Sequence, residues 1–183
     1  MDFIDEQGFR ANVGIILTDG NGRVLIAGRR GRGGWQFPQG GIQPEETTEA
    51  AMFRELREEV GLTPSDVEPL GSTEGWLRYR LPDRYIRRER TPLCIGQKQR
   101  WFLLQLTTDR NRVRFDLSPE PEFDRCRWVD YWRPVKEVVY FKRPVYVQAL
   151  HELGHLAFPN DGPPPPPAWW PRRWQRALDR RQA

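Results

Sequence analysis

Three glutamates, Glu55, Glu58 and Glu59, have a spacing that could assemble a site for hard cations. Residues at i, i+3 and i+4 lie on one face of a helix, so the three carboxylates would project side by side. Crowded negative charges favour a bound cation, and all-oxygen sites suit Mg²⁺ and Mn²⁺. A run of glutamates is more often a solvated helix face, so these residues alone do not decide between the two interpretations.

A longer pattern surrounds these glutamates and favours the cation site. It reads G-x5-E-x7-R-E-U-x-E-E-x-G-U, where U is aliphatic, and its positions are occupied by Gly40, Glu46, Arg54, Glu55, Leu56, Glu58, Glu59, Gly61 and Leu62. At every position of this pattern the chain resembles the Nudix hydrolases. The resemblance implies the Nudix fold, an α/β (α+β) domain with a mixed central β-sheet layered between helices. It also implies a metal-dependent hydrolase of phosphoanhydride bonds.

The cation chemistry of the pattern agrees with this resemblance. We predict Glu55, Glu58 and Glu59 as ligands of Mg²⁺, with Mn²⁺ or another divalent cation as the alternative. Bound ions can bridge phosphate oxygens, neutralise developing charge and activate water at neutral pH. The predicted chemistry is therefore attack of water on phosphorus.

The remaining residues of the pattern are expected to support the site. Arg54 cannot ligate a cation, and we expect it to pair with a carboxylate such as Glu46, which would hold the loop and the helix in register. Gly40 would allow a tight turn, and Gly61 would end the helix. These four residues are predicted to be structural.

The resemblance extends beyond the pattern, to the Nudix branch that contains bacterial RNA pyrophosphohydrolases and the diadenosine tetraphosphate hydrolases. It covers roughly residues 8–156 and rests on the segments Gly8-Phe9-Arg10, Asn12-Val13-Gly14, Trp35-Gln36-Phe37-Pro38-Gln39-Gly40-Gly41, Trp76-Leu77-Arg78-Tyr79, Cys94-Ile95-Gly96-Gln97-Lys98-Gln99, Pro121-Glu122-Phe123-Asp124 and Phe141-Lys142-Arg143. In that branch a further glutamate approaches the metals, and the matching position here is Glu122. The candidate catalytic groups are therefore Glu55, Glu58 and Glu122, with Glu55 or Glu122 as the general base.

The same resemblance implies a substrate and the residues that hold it. The expected substrate is RNA with a 5′-triphosphate or 5′-diphosphate, whose conversion to a 5′-monophosphate triggers decay. The alternative is a dinucleoside polyphosphate. Cations would bind phosphates and an aromatic ring would stack on a base. The candidate residues are Arg10, Arg29, Gln39, Gly40, Tyr79, Val139, Phe141 and Lys142.

A competing motif, H-E-x-x-H, is formed by His151, Glu152 and His155. In zinc proteases two histidines one helical turn apart bind the metal and the glutamate activates water. A catalytic zinc normally has three protein ligands, and no glutamate follows residue 152 in the chain. We therefore treat the zinc metalloprotease as a remote alternative.

The elements that must position these groups can be read from turn and periodicity signals. Apolar runs at residues 13–17 and 24–27 flank the sequence Asp19-Gly20-Asn21-Gly22, which predicts a β-hairpin. Further strands are predicted at residues 75–80, 99–106 and 126–129. Helices are predicted at residues 47–60 and at 144–156, the second with Tyr146, Ala149, Leu150 and Leu153 on one buried stripe.

The basic residues are unevenly distributed along the chain, whose net charge is +4. Between residues 78 and 100 there are seven arginines and one lysine, but only Asp83 and Glu89 as acids. This stretch could follow the phosphates of an RNA, or it could be a solvated loop.

The chain divides once, into a Nudix hydrolase domain at residues 1–157 and a tail at residues 158–183. The tail contains five consecutive prolines and then a segment with five arginines and one aspartate, and we expect it to be a proline-rich linker with a disordered basic end. Two cysteines and an N-terminus without a basic and apolar leader predict a cytoplasmic protein. The mean hydropathy of −0.76 and the lack of a long apolar run predict no membrane span.

Overall fold

A mixed β-sheet forms the centre of the molecule in a computed structural model, which describes residues 4–31 and 33–179. Within these residues the strands are β1 (Phe9–Thr18), β2 (Arg23–Arg29), β3 (Trp35–Gln36), β4 (Gln39–Gly41), β5 (Val67–Ser72), β6 (Leu77–Arg80), β7 (Gly96–Leu106) and β8 (Phe123–Asp130). The α-helices are α1 (Thr48–Val60), α2 (Arg133–Glu137), α3 (Arg143–Ala157) and α4 (Arg172–Asp179).

The sheet has the order β3-β2-β1-β7-β5, with β4 paired to β1, β6 to β7 and β8 to β2. Strands β1 and β7 are parallel, from Phe9 opposite Gly96 to Thr18 opposite Gln105, and the other pairs are antiparallel. The predicted hairpin is confirmed, because β1 and β2 are antiparallel neighbours joined by the Asp19 turn. In that turn the Asp19 carboxylate accepts backbone N–H bonds at 2.8 and 3.1 Å.

Apolar side chains on the long strands point alternately to the two faces of the sheet, and both faces are buried. On β1, Val13, Ile15 and Leu17 pack in the core that contains α1, whereas Ile16 packs in the core that contains α3. Successive strand residues point to opposite faces, so one strand serves both cores. The predicted mixed sheet layered between helices is confirmed.

Helix α1 begins at Thr48, one residue after the predicted start, and ends at Val60 as predicted. The Thr47 hydroxyl caps it by accepting the Ala50 N–H at 3.1 Å. Gly61 ends it in the left-handed region at φ 73°, where its N–H bonds the Arg57 carbonyl. A residue with a side chain would be strained there, which explains the glycine.

Helix α3 covers the opposite face of the sheet. Its predicted stripe is confirmed, since Tyr146, Ala149, Leu150 and Leu153 are all buried. The Tyr146 hydroxyl accepts the Phe37 N–H at 2.9 Å, which ties the helix to the segment that precedes β4. None of the helices in residues 4–31 and 33–179 is long and apolar enough to cross a membrane.

The C-terminal segment packs on the domain, which differs from the predicted disorder. Trp170 is only 3% exposed and lies edge-on against Trp132, with ring centroids 4.9 Å apart. The Trp132 indole N–H donates to the Pro164 carbonyl at 2.7 Å, and α4 follows the docked tryptophan. Burial of a large indole stabilises the docked segment, and composition alone does not reveal that it has a receiving surface. The part of the prediction that concerns residues 180–183 lies outside the described residues.

Candidate active site

The glutamates of α1 project from one side of its C-terminal half. Glu55 and Glu59 are buried, at 8% and 6% exposure, whereas the Glu58 side chain is half exposed. The neighbouring stripe, with Met52, Leu56 and Val60, packs into the core and fixes the rotation of the helix. The helix thus holds two carboxylates away from water and a third at the surface.

Strand β4 lies directly against these carboxylates. The Gln39 N–H donates to Glu59 Oε2 at 2.7 Å. A side chain at position 40 would coincide with the Glu55 carboxylate, so glycine is required there by the close approach of strand and helix. The predicted role of Gly40 as a turn residue is incomplete, because its main effect is to make room for Glu55.

Arg54 links the loop to the helix. Its Nε and Nη2 donate to the two Glu46 carboxylate oxygens at 2.8 and 2.9 Å, and Nη2 also donates to the Gly41 carbonyl at 2.7 Å. This is the bidentate pair that the sequence predicts. The guanidinium holds the pKa of Glu46 below its ordinary value. Nη1 donates to Glu55 at 2.6 Å and to Glu58 at 3.3 Å, so one arginine contacts three carboxylates.

Glu122 reaches the same place from the loop before β8. Burial raises the pKa of Glu59 well above its ordinary value, and the charges of Glu122 and Glu55 raise it further. Burial also raises the pKa of Glu55, which Arg54 opposes and the charges of Glu58 and Glu122 reinforce. The carboxylates are therefore close enough to disfavour each other's ionisation.

This donor set fits a divalent cation. It is all oxygen, and a cation would offset the repulsion and the burial that raise the pKa values of Glu55 and Glu59. In residues 4–31 and 33–179 no three acidic, histidine or cysteine side chains converge closely enough to form a ready-made ion site. Glu55 and Glu58 contact Arg54 instead, so an ion that bound these two carboxylates would compete with the arginine.

All predicted metal-binding and substrate-binding residues line one cavity of about 770 Å³. We call it the active cavity, and the predicted residues along its walls are Arg10, Arg29, Gln39, Gly40, Glu55, Glu58, Glu59, Tyr79, Glu122, Val139, Phe141 and Lys142. Its volume is within the range of ligand pockets, ~300–1,000 Å³. Carboxylates occupy the α1 side, and cations and aromatic rings occupy the rest.

Lys142 is the most deeply placed cation of the active cavity, at 9% exposure. Its Nζ donates to Gln36 Oε1 at 3.3 Å and to Gln39 Oε1 at 3.2 Å. Burial and the charge of Arg29 lower the pKa of Lys142 to about 8, and the charges of Glu122 and Glu59 oppose the shift. The site therefore has a cation that titrates just above neutral pH.

An aromatic wall faces the carboxylates. The rings of Tyr79 and Phe141 are 5.8 Å apart, and Tyr85 lies 5.4 Å from Phe141. The Tyr79 hydroxyl donates to Gln97 Oε1 at 2.7 Å, which fixes the ring. Tyr79 is only 6% exposed, so Phe141 and the 47% exposed Tyr85 present most of the surface on which a nucleobase can stack.

The sequence interpretation misses several residues that line the active cavity. Arg87 belongs to the basic stretch but is not among the predicted site residues, and Tyr85 beside it gives no separate signal. Trp35, Ser118 and Glu120 also line the cavity. Of these three, only Trp35 belongs to a segment that resembles the family. Nothing in the sequence distinguishes Ser118 and Glu120 from other loop residues.

The competing zinc motif is on α3, outside the active cavity. Glu152 accepts the Glu74 N–H at 2.7 Å, so its carboxylate ties the helix to the turn between β5 and β6. Among residues 4–31 and 33–179 no third acidic, histidine or cysteine side chain joins His151 and His155 in a metal-binding group. The geometry gives no support to the metalloprotease alternative.

Comparison with known proteins identifies relatives over most of the chain. The NUDIX domain family matches residues 8–149. The chain is similar to the RNA pyrophosphohydrolase of Alkalilimnicola ehrlichii, with 59% identity over 93% of this chain and 94% of the relative. It is also similar to the RNA pyrophosphohydrolase of Pseudomonas putida, with 61% identity over 86% of this chain and 99% of the relative. Among solved structures it resembles the E. coli dihydroneopterin triphosphate pyrophosphohydrolase, with a TM-score of 0.61, 20% identity, and coverage of 75% of this chain and 92% of that one.

The match to the Alkalilimnicola ehrlichii protein shows that the resemblance extends beyond the predicted residues 8–156. A match that covers 93% of the chain must continue past the proline run, where we expected the resemblance to end. The C-terminal segment is therefore shared at least in part with that relative.

Proposed function

This chain belongs to the Nudix family, and we propose that it hydrolyses a phosphoanhydride bond at the 5′ end of RNA. The reaction would convert a 5′-triphosphate or 5′-diphosphate into a 5′-monophosphate and commit the RNA to decay. One observation carries the proposal: the Nudix carboxylates and Glu122 share a single cavity with several cations and a stacking wall. Relatives about 60% identical that bear the name RNA pyrophosphohydrolase support this substrate.

The protein groups would divide the work within the active cavity. Arg10, Arg29 and Lys142 supply positive charge for the phosphates. Phe141 supplies the surface on which the first base stacks, with the mostly buried ring of Tyr79 packed against it and Val139 also at the cavity wall. Gln39 orients Lys142 through its amide oxygen. The substrate would thus be held at both its phosphates and its bases.

The enzyme requires divalent cations, as Nudix hydrolases generally do, and we assign Mg²⁺, with Mn²⁺ as a substitute. Glu55, Glu58, Glu59 and Glu122 would hold the ions. When bound, such ions neutralise phosphate charge and lower the pKa of water. Glu55 or Glu122 would remove the proton of the attacking water, because both carboxylates line the cavity beside the other acids.

A diadenosine polyphosphate is the second candidate substrate. The active cavity has a second aromatic group, Trp35, besides the Tyr79–Phe141 pair, and a second base would have to stack on the Trp35 face that the Arg127 guanidinium does not cover. A dinucleoside polyphosphate would use both surfaces and would leave the basic stretch at residues 78–100 mostly unused. RNA uses that stretch, which favours RNA as the main substrate.

Loss of the proton from Lys142 is expected to raise KM for RNA as pH increases through about 8. The expected rise is roughly tenfold, because a charge-assisted hydrogen bond is worth on the order of 1.5–3 kcal/mol. Lys142→Met should have the high KM at every pH, whereas Lys142→Arg, which stays charged, should have no alkaline limb. A KM of the unmodified protein that is flat on both sides of that pKa would contradict the role of Lys142.

The same pKa shift has a defined effect on stability. The pKa of Lys142 is about 8 in the folded state, against 10.5 for an unperturbed lysine, so the unfolded chain binds this proton more tightly. The contribution of Lys142 to the free energy of unfolding therefore increases with pH between these two values.

The basic stretch offers a test that separates the two substrates. Arg87 lines the active cavity, and both Arg87 and Arg88 are exposed. Arg87→Ala combined with Arg88→Ala should lower kcat/KM for RNA by roughly tenfold and flatten its salt dependence by about 1.4 in log-log slope, the value for two phosphate contacts on a single strand. The matched control is Arg110→Ala with Arg112→Ala, two exposed arginines that do not line the active cavity.

Steady-state kinetics on RNA and on diadenosine tetraphosphate would measure the effect. The RNA interpretation predicts a much smaller loss on the dinucleotide and no loss in the control. Equal losses on both substrates would make the dinucleoside polyphosphate the better assignment.

A further inference from the structure

A second groove of about 890 Å³ lies outside the active cavity. It is bounded by the turn between β5 and β6, by α3, and by Pro163 and Trp174 of the C-terminal segment. None of the predicted Nudix site residues lines it. Its volume is also within the ligand-pocket range, ~300–1,000 Å³.

The second groove and the active cavity lie next to each other where β6 packs on α3. On β6, Tyr79 lines the active cavity and Leu77, two residues away on the same face, lines the second groove. On the other side, Phe141 and Lys142 line the active cavity and Pro144 lines the second groove. The two cavities are therefore adjacent, and an RNA that occupied both would have to pass over the edge formed by β6 and the start of α3.

Two fixed indoles line the second groove. Trp76 is 39% exposed, and the Lys98 ammonium lies 5.4 Å from its ring centroid. Trp174 belongs to α4 and lies 5.7 Å from Trp170, which is itself buried against Trp132. Partly exposed aromatic rings held by their surroundings are suited to stacking on unpaired bases, because every base presents a π-face.

Positive charge stands next to these indoles. Arg172 and Arg173 are exposed and directly precede Trp174. On the opposite rim, Arg100 donates to the Glu74 carbonyl at 2.8 Å and to the Ser72 hydroxyl at 3.3 Å, which places a guanidinium behind the groove-lining turn. None of these arginines lines the second groove itself, so Arg172 and Arg173 would meet the phosphates of a single strand at its rim, beside the indole of Trp174.

The polar side chains that line the second groove fit base edges better than phosphates. Glu74 and Glu152 line it, and carboxylates repel phosphate but accept hydrogen bonds from amino groups of bases. His151, His155 and Gln148 also line it and can bond to bases or to ribose hydroxyls. The bases would thus lie inward and the phosphates outward, towards the arginines.

From this arrangement we propose that the second groove binds the single-stranded segment of RNA that follows the 5′ end held in the active cavity. Bases of this segment stack on Trp76 and Trp174, and its phosphates contact Arg172 and Arg173. The inference rests on the proposed RNA substrate and adds a second binding site to it.

The test compares triphosphorylated RNAs of about 3 and about 12 nucleotides, the longer within the span of single-strand binding sites. Trp76→Ala should reduce kcat/KM on the longer RNA by about tenfold, the size expected for one lost stacked base, and should leave the shorter RNA unaffected. Arg172→Ala with Arg173→Ala should weaken binding of the longer 5′-monophosphorylated RNA and lower its salt slope by about 1.4.

Matched controls separate this site from general surface effects. Trp169→Ala removes a tryptophan of similar exposure, 45%, that does not line the second groove. Arg110→Ala with Arg112→Ala removes the same charge from a surface that does not line it either. Both controls should retain the length preference, and thermal melting of Trp76→Ala and of Arg172→Ala with Arg173→Ala should match that of the unmodified protein. The arginine control also removes ion pairs with the buried carboxylates of Asp19 and Asp66, so it is assayed below its own melting temperature.

The outcomes distinguish the inference from the function on which it rests. If the unmodified protein cleaves both RNAs but the Trp76 and Arg172–Arg173 variants show no length-dependent loss, the second groove is not an RNA site. If the unmodified protein cleaves neither RNA, the proposed function itself is wrong.

Discussion

Glu58→Gln is expected to lower kcat by about a hundredfold or more, as for other electrostatic groups at reacting centres. Glutamine has the same shape but lacks the charge that a divalent cation requires. The Glu58 side chain is half exposed and accepts a bond from Arg54 at 3.3 Å, so the fold should tolerate the change. Steady-state kinetics with saturating Mg²⁺, together with calorimetric titration of the cation, would measure the effect.

Glu49→Gln is the matched control for this prediction. Glu49 is an exposed glutamate in the first turn of the same helix, and it does not line the active cavity. The control should keep the rate and the cation affinity of the unmodified protein. Near-full turnover by Glu58→Gln would show that Glu58 is not a metal ligand.

Gly40→Ala is expected to reduce activity by about a hundredfold and to lower stability by about 1–3 kcal/mol. The added methyl group would overlap the Glu55 carboxylate, and either that carboxylate or the pairing of Gly40 with Val13 on β1 must move. Displacing a reacting group by about 1 Å can cost a hundredfold in rate. Activity assays and thermal melting would measure the two losses.

Gly75→Ala is the control for the glycine change, because a methyl group at position 75 would meet no heavy atom within 4 Å. It should leave the melting temperature and the hydrolysis of a short substrate almost unchanged. An active Gly40→Ala protein with an unaltered melting temperature would mean that Glu55 does not need the space that this glycine leaves.

Most of the sheet and both of its large helices are predictable from the sequence because these elements carry strong local signals. The end of α1 follows from Gly61, and the α3 stripe follows from helical periodicity. Strand β5 is missed because Pro69 and Gly71 are typical of a loop, and the structure accommodates them at an irregularity on the edge of the sheet. Helix α2 has only five residues, too few for a periodic pattern.

The C-terminal segment shows what local signals cannot supply. Its prolines and arginines are typical of a disordered chain, but Trp170 has a partner in Trp132, which lies far away in the sequence. Only the folded domain reveals that surface. For the same reason the second groove, which needs Trp76 and Trp174 together, has no signature in the sequence.

Site residues that lie close together in the sequence are predictable from it, whereas those on distant loops are not. Glu55, Glu58 and Glu59 are on one helical turn, so their spacing alone predicts a shared face. Glu122 is predicted only through the family resemblance, because nothing local distinguishes a glutamate in an exposed loop. Arg87 and Tyr85 enter the active cavity through the path of their loop, which composition does not define.

Product analysis on a short 5′-triphosphorylated RNA, set beside diadenosine tetraphosphate with Mg²⁺ or Mn²⁺, tests the central claim most directly. We expect conversion of the RNA to its 5′-monophosphate with release of pyrophosphate or of successive phosphates, at a higher kcat/KM than that for the dinucleotide. We also expect loss of this product with Glu58→Gln. Cleavage of diadenosine tetraphosphate with no 5′-monophosphorylated RNA formed would contradict the claim.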